Sequence, residues 1–181
     1  MSLGARCRTV AMLVAVTMAV CATVAGAAST PPVTVAHLLR SRITLVKQHD
    51  GGVPVLLPNT MLLGSPDYTA SSASRGSYRL EIDGAEPCNG ANVCLYALFT
   101  AVRGGRRYGS AVKLTHHIHG RFAGIQCGAV CSPASIDWIE RGVLYTIEAN
   151  PSIELQPSLA ANAFEQNFID AADQAINAGP R

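Results

Sequence analysis

Charge is scarce in this 181-residue chain: 14% of its residues are Asp, Glu, Lys or Arg, with 14 basic residues against 12 acidic ones. A nucleic-acid binder of this size needs a clear excess of Lys and Arg gathered on one face, so the balance excludes that class. Aromatic residues are few (6%, with Trp138 the single tryptophan). Even so, 49% of the chain is hydrophobic, too much for a disordered sequence of low net charge. Long apolar runs are missing as well, and none reaches the ~20 residues that carry a helix across a bilayer. Gly-x-Ser-x-Gly, His-Glu-x-x-His and a phosphate-cradling glycine loop are all lacking. No internal repeat is visible, and the length fits one domain with short appendages.

What the N-terminus does have is an export pattern. Arg6 and Arg8 precede an uncharged apolar stretch, Ala11–Val24, and Ala25-Gly26-Ala27 supplies the small residues a signal peptidase accepts. Residues 1–27 are therefore predicted to be a signal peptide, and residues 28–181 a single extracytoplasmic domain, periplasmic or secreted. Val20 stands where a lipoprotein signal carries a small residue, which argues against acylation at Cys21. Without Arg6 and Arg8 the remaining chain holds 12 basic and 12 acidic residues, so bulk charge does not select its partners.

Four cysteines follow the cleavage point: Cys88, Cys94, Cys127 and Cys131. An even number in an exported chain points to disulfides. Three connectivities are open, and the short spacings favour two local loops, Cys88 with Cys94 and Cys127 with Cys131. A four-thiolate zinc site is disfavoured by ligand spacing and by an oxidising compartment. Cys127-x3-Cys131 also lacks the spacing of a redox-active Cys-x-x-Cys pair. A domain of this length buries ~68–70% of its unfolded surface without help, so the bridges are expected to pin loops and not to replace a core.

Along the domain, residues 33–48 carry apolar pairs that suit a helix, with Ile43-Thr-Leu-Val46 equally compatible with extended chain, and Asp50-Gly51-Gly52 ends them. Val53-Pro-Val-Leu-Leu-Pro58 is bracketed by proline and predicts an edge strand or an extended arm. Residues 59–76 are small and polar, which reads as a loop round a short strand at Tyr68. Tyr78, Leu80 and Ile82 alternate with Arg79, Glu81 and Asp83, a half-buried strand. Leu95–Val102 is apolar on both faces and is expected centrally in a sheet, and Val112 and Leu114 alternate with polar neighbours. Residues 136–140 and 143–147 flank Arg141-Gly142 as a hairpin with Trp138, Tyr145 and Ile147 inward. Between Leu159 and Ile176 the period becomes helical, and Gly179-Pro180 stops it. The predicted class is α+β: an antiparallel meander sheet, an N-terminal helix or arm, and a C-terminal helix packed on it.

Several of these stretches, in order over residues ~50–181, resemble a group of exported bacterial proteins of uncharacterised function. They are Val53–Pro58, Cys88-Asn-Gly-Ala-Asn-Val-Cys94, Cys127-Gly-Ala-Val-Cys131, Ile136-Asp-Trp138 with Gly142-Val-Leu-Tyr145, and Ala175-Ile-Asn-Ala-Gly-Pro-Arg181. The group brings no activity with it. A fainter likeness is to extracytoplasmic sensor domains related to periplasmic lipoprotein carriers, and it implies a curved sheet behind a final helix.

Local chemistry is sparse. His116, His117 and His119 put three of the five histidines within four residues. On an extended backbone His117 and His119 point to one side and could share a transition metal. A solvated turn before Gly120 accounts for them equally, and neither Asp83 nor Asp137 is placed by any motif as a further ligand. Asp137 and Glu140 lie three apart on a strand, hence on opposite faces, and make a poor acid–base pair. Ser65, Ser71, Ser72, Ser74 and Ser77 read as linker residues, Arg103-Gly-Gly-Arg-Arg107 as a polar hairpin loop, and Trp138 and Tyr145 as core. The favoured reading is a non-enzymatic domain binding an envelope component, a protein or an apolar ligand, with no cofactor. The alternatives are a metal-binding protein using His116, His117 and His119, or a secreted hydrolase with a triad of scattered residues. The latter needs a serine or cysteine hydrogen-bonded to a histidine.

Overall fold

A computed structural model of the chain describes residues 32–63, 65–85, 94–150 and 161–181 (of 161 and 162, the backbone only). The predicted signal peptide and Cys88 lie outside the described residues. The N-terminal part runs as β1 (Val33–Thr34), α1 (Val35–Leu38) and α2 (Arg40–Lys47), then an extended arm through Pro58 to β2 (Thr60–Met61). The main sheet begins with β3 (Tyr68–Ser74), β4 (Ser77–Asp83) and β5 (Leu95–Arg103). It continues with β6 (Ser110–Lys113) and β7 (His119–Ala123), and a small hairpin, β8 (Gln126–Cys127) with β9 (Cys131–Ser132), projects before β10. Strands β10 (Ala134–Glu140) and β11 (Val143–Ala149) complete it, and α3 (Ala161–Ala178) follows.

The seven strands lie in the order β3-β4-β5-β11-β10-β7-β6, and every neighbouring pair is antiparallel. With two helical segments before the sheet and one after it, the fold is α+β, as predicted. The meander comes in two runs, β3 to β5 and β6 to β11, joined where β11 pairs with β5. Residues 104–109 connect them by crossing to the far edge of the sheet. The hairpin loop expected at Arg103–Arg107 is thus a strap between strands that are not neighbours. Gly105 sits where a Cβ would fall 2.5 Å from Leu144 Cδ2, so only glycine lets the strap lie this close to the sheet.

Strand β3 is a full seven-residue strand, and the polar loop expected over 59–76 is corrected to that extent. Its residues are Ser, Ala, Thr and one Tyr, so it carries too little apolar alternation to announce itself. Strand β7 was also missed, because Gly120 looks like a breaker. In the sheet Gly120 lies opposite Trp138, where a Cβ would collide with Leu114 and Val112.

One face of the sheet holds the core. Leu80, Ile82, Phe99, Ile136, Trp138 and Ile147 are buried there, together with Val35, Leu39 and Val46 from α1, α2 and their junction. Phe168, Ala171, Ala172 and Ala175 of α3 join the same cluster. Trp138 and Tyr145 face each other across β10 and β11 and stack with centroids 5.4 Å apart. The hairpin turns on Arg141 and Gly142 with φ of 51° and 76°, the backbone of a type I′ turn.

The arm Val53–Pro58 runs through the core without joining a strand, and Val53, Val55, Leu56 and Leu57 are buried. Buried backbone groups need partners, and side chains together with the C-terminal backbone supply them. The Tyr145 hydroxyl donates to Pro54 O (3.1 Å), and Leu56 N donates to the Tyr78 hydroxyl (3.2 Å). Arg181 N donates to Val55 O (3.0 Å) and Arg181 Nη2 to Leu57 O (3.2 Å). Burial pushes the Tyr145 phenol up to about 12 and Tyr78 higher, so both keep their protons at neutral pH.

Replacing Tyr78 by Phe strands the Leu56 amide in an apolar layer. The expected cost is about 1–3 kcal/mol, read as a lower urea midpoint at unchanged slope. A midpoint equal to wild type would show that the hydroxyl does not hold the arm.

Candidate functional site

The register of the sheet gathers its turns into two ends. Ser74 pairs with Ser77, Ser77 with Val102, Arg103 with Val143 and Val143 with Glu140, so these residues mark a single end. Backbone hydrogen bonds tie its loops together. Gly76 N donates to Asp50 O (2.8 Å), Arg103 N to Gly76 O (3.0 Å) and Gly104 N to Gly142 O (3.1 Å). Asp50 is fully buried after α2, and its Oδ1 accepts from Gly52 N at 2.8 Å, which shapes the loop. Arg103 Nη2 adds a bond to Gly52 O at 3.3 Å.

This end is basic. Arg75 comes from the β3–β4 turn, Arg103 from the end of β5, Arg106 and Arg107 from the strap, and Arg141 from the β10–β11 turn. All five are exposed. They are five of the 12 Lys and Arg residues that follow residue 27. Arg107 donates to His119 O, and Arg141 lies a loose 3.9 Å from Glu140. Arg75 and Arg106 have no hydrogen-bond or ion-pair partner among the described residues. At the other end, β3 is preceded by Asp67 and β4 closes on Asp83. A chain with balanced charge thus carries an arginine-rich end, at which Glu140 and the buried Asp50 also lie.

Two open clefts lie at the arginine end. The larger, about 530 Å³, is lined by Gly51, Arg75, Gly76, Ser77, Val102 and Arg103. The smaller, about 210 Å³, continues past Ser77 along β3 and β4 to Ser72 and Arg79. Their donors are guanidinium N–H groups and the Ser74 and Ser77 hydroxyls, which are 2.8 Å apart. Planar, multiply donating groups at an open cleft suit a phosphate or carboxylate.

The sheet face turned away from the helices carries the buried Asp137 and the half-buried Glu148, and Asp83 is buried at the end of β4. Burial is the main cause raising the Asp137 carboxyl, opposed by hydrogen bonds from Thr146 and the Tyr108 N–H (3.1 Å) and by Arg107. Burial also raises Glu148, against the pull of Arg79, and Asp83, which Glu81 raises further.

The histidine stretch is a 3-10 turn over Thr115–His117, in which His116 and His117 both have left-handed φ (52° and 60°). The extended backbone on which His117 and His119 share a side is absent, because these backbone angles rotate the chain between them. All three imidazoles are exposed, and His116 Nε2 lies 2.9 Å from Asn177 Oδ1. Among the described residues no group of three or more His, Cys, Asp or Glu side chains is placed to hold a metal ion. Asp83 and Asp137 lie on β4 and β10, with β5 and β11 between them. Asp137 pairs with Thr146 and Glu140 with Val143, so the two carboxylates occupy opposite faces as expected. Cys127 and Cys131 are bonded to each other across β8 and β9. Cys94 is disulfide-bonded too, and its expected partner Cys88 lies outside the described residues.

No family model, curated protein or solved structure matches the chain.

The raised carboxyls give a pH signature. A folded pKa above the unfolded value means that the folded chain holds more protons in that window, so stability falls as pH rises through it. The double variant Asp137→Asn/Glu148→Gln lacks this contribution. Wild type should gain more stability than the variant as pH is lowered from neutral towards the ordinary carboxylate range in urea titrations. Parallel gains would contradict the assignment.

Proposed function

We propose that the protein is an exported, non-enzymatic binding module that takes an anionic component of the cell envelope at the arginine end of its sheet. Export is supported by the N-terminal sequence pattern and by the Cys127–Cys131 bond, which suits an oxidising compartment. The observation that carries the ligand class is the convergence of Arg75, Arg103, Arg106, Arg107 and Arg141 from three separate connections on one end. Arg141 adds weight. It occupies a left-handed turn position that asparagine or glycine adopts more easily, which favours a charge being needed there. The helix-covered face, where a lipid-carrier likeness would put an apolar ligand, is filled by Phe99, Trp138, Tyr145 and Ile147.

The test is co-sedimentation with phosphatidylglycerol-containing vesicles, and in parallel titration with soluble inorganic polyphosphate. Each arginine near an anionic surface contributes about 1 kcal/mol, roughly fivefold in affinity. The triple variant Arg103→Gln/Arg106→Gln/Arg107→Gln should therefore bind at least tenfold more weakly, and salt should weaken the wild type. Binding to vesicles alone identifies a lipid headgroup, and binding to both identifies a free phosphate group as sufficient. Wild type that binds neither probe, or a triple variant that binds as well as wild type, would refute the reading.

A further inference from the structure

Among the described residues no strand lies beside either edge of the seven-stranded sheet, and folded proteins ordinarily blunt such edges with charge, proline or brevity. Strand β6 conforms: it has four residues and ends on Lys113. Strand β3 does not. It is seven residues long, has no charged residue and no proline, and none of its residues is buried. No strand among the described residues pairs with its outer side.

The outward groups can be assigned. The two-residue turn Arg75-Gly76 closes on the pair Ser74–Ser77, which must be hydrogen-bonded in both directions. Alternation then turns the backbone groups of Ser72, Ala70 and Tyr68 towards β4. Those of Thr69, Ser71 and Ala73 point away from the sheet.

We propose that β3 pairs antiparallel with β3 of a second copy of this chain, with Ser71 opposite Ser71. That register uses every outward group: Ser71 bonds Ser71, and Thr69 bonds Ala73 in both senses, six hydrogen bonds in all. Sliding the strands by two residues leaves only four. The same register brings Asp67 of each copy beside Arg75 of the other, and both residues are exposed. Two ion pairs thus flank the uncharged pairing segment, one at each end. Every side chain of the strand between them is small except Tyr68 near the end, so no bulky side chain of β3 opposes the approach. The dimer is isologous, with its two-fold axis normal to the sheet. Helices of both copies lie on one side, and the two arginine ends point in opposite directions. Arg103, Arg106, Arg107 and Arg141 take no part in the pairing, so the dimer does not depend on the anion reading.

Sedimentation equilibrium of the full protein over a concentration series tests this, with three variants. Ser71→Pro removes an outward N–H while leaving the ladder to β4 intact, and it should be monomeric. Asp67→Arg places like charges together and should weaken dimerisation at least about tenfold. The double variant Asp67→Arg/Arg75→Asp restores opposite charges and should recover the wild-type dissociation constant. The charge variants are conservative for the fold and decide the matter even if Ser71→Pro does not fold. A monomeric wild type, a dimer indifferent to Ser71→Pro, or a charge reversal without recovery would each overturn the proposal. A wild-type monomer that captures an extended peptide from another protein would also count against it.

Discussion

Six residues of arm, Val53–Pro58, run through the middle layer of this protein with their polar backbone groups enclosed. A buried carbonyl or amide without a partner costs as much as several favourable contacts contribute. The arm is too heavily bracketed by proline to join a sheet, so its partners must come from side chains. Two tyrosines standing on adjacent parts of the sheet reach up to it, and Arg181 reaches it from beyond α3. The apolar side chains of the arm meanwhile join the core cluster shared by sheet and helices. Sheet, arm and C-terminal segment are consequently interlocked, and none packs correctly without the others.

That interlock also places the candidate site. The arm begins at Gly52–Val53, directly after the buried Asp50, and Asp50 O and Gly52 O accept bonds from Gly76 and Arg103. The loop before the arm is therefore fixed against the turn end of the sheet, where it forms one wall of the larger cleft. The strap of residues 104–109 is held at the same end by Tyr108 N on Asp137 and by Gly105 against Leu144. Three connections distant in sequence thereby present five guanidinium groups on a common surface. An overall charge near zero does not describe such a surface, where five exposed arginines outnumber the half-buried Glu140 and the buried Asp50. Attraction for anions over a Debye length of about 10 Å depends on this local arrangement and not on the sum.

Much of the architecture was legible in the sequence because it rests on periodicity. The alternation at Tyr78–Ile82, the Arg141-Gly142 turn with Trp138 and Tyr145 inward, and the helical spacing from Phe164 to Ile176 are local patterns with local physical causes. Strand β3 was not legible, since serine and alanine mark a strand no better than a loop. Gly120 hid β7, because the reason for a glycine there is the close approach of Leu114 and Val112, which only the folded sheet reveals. The strap was misread for a related reason: nothing in Arg103–Arg107 says that the next strand lies across the sheet. The arginine end was hidden most thoroughly. Its five members are spread over residues 75 to 141, and only the pairing of β5 with β11 brings them together. The histidines show the converse case, a cluster compact in sequence that a left-handed turn disperses into solvent.

The central claim is that the turn end of the sheet is the anion-binding surface. It is tested most directly by following backbone amide resonances of the folded protein during titration with inorganic polyphosphate. The account predicts that shifts concentrate at Gly51, Gly76, Arg103 to Arg107 and Gly142, and saturate. Shifts confined to α3, to the β6 edge or to the Cys127–Cys131 hairpin, or none at all, would contradict it.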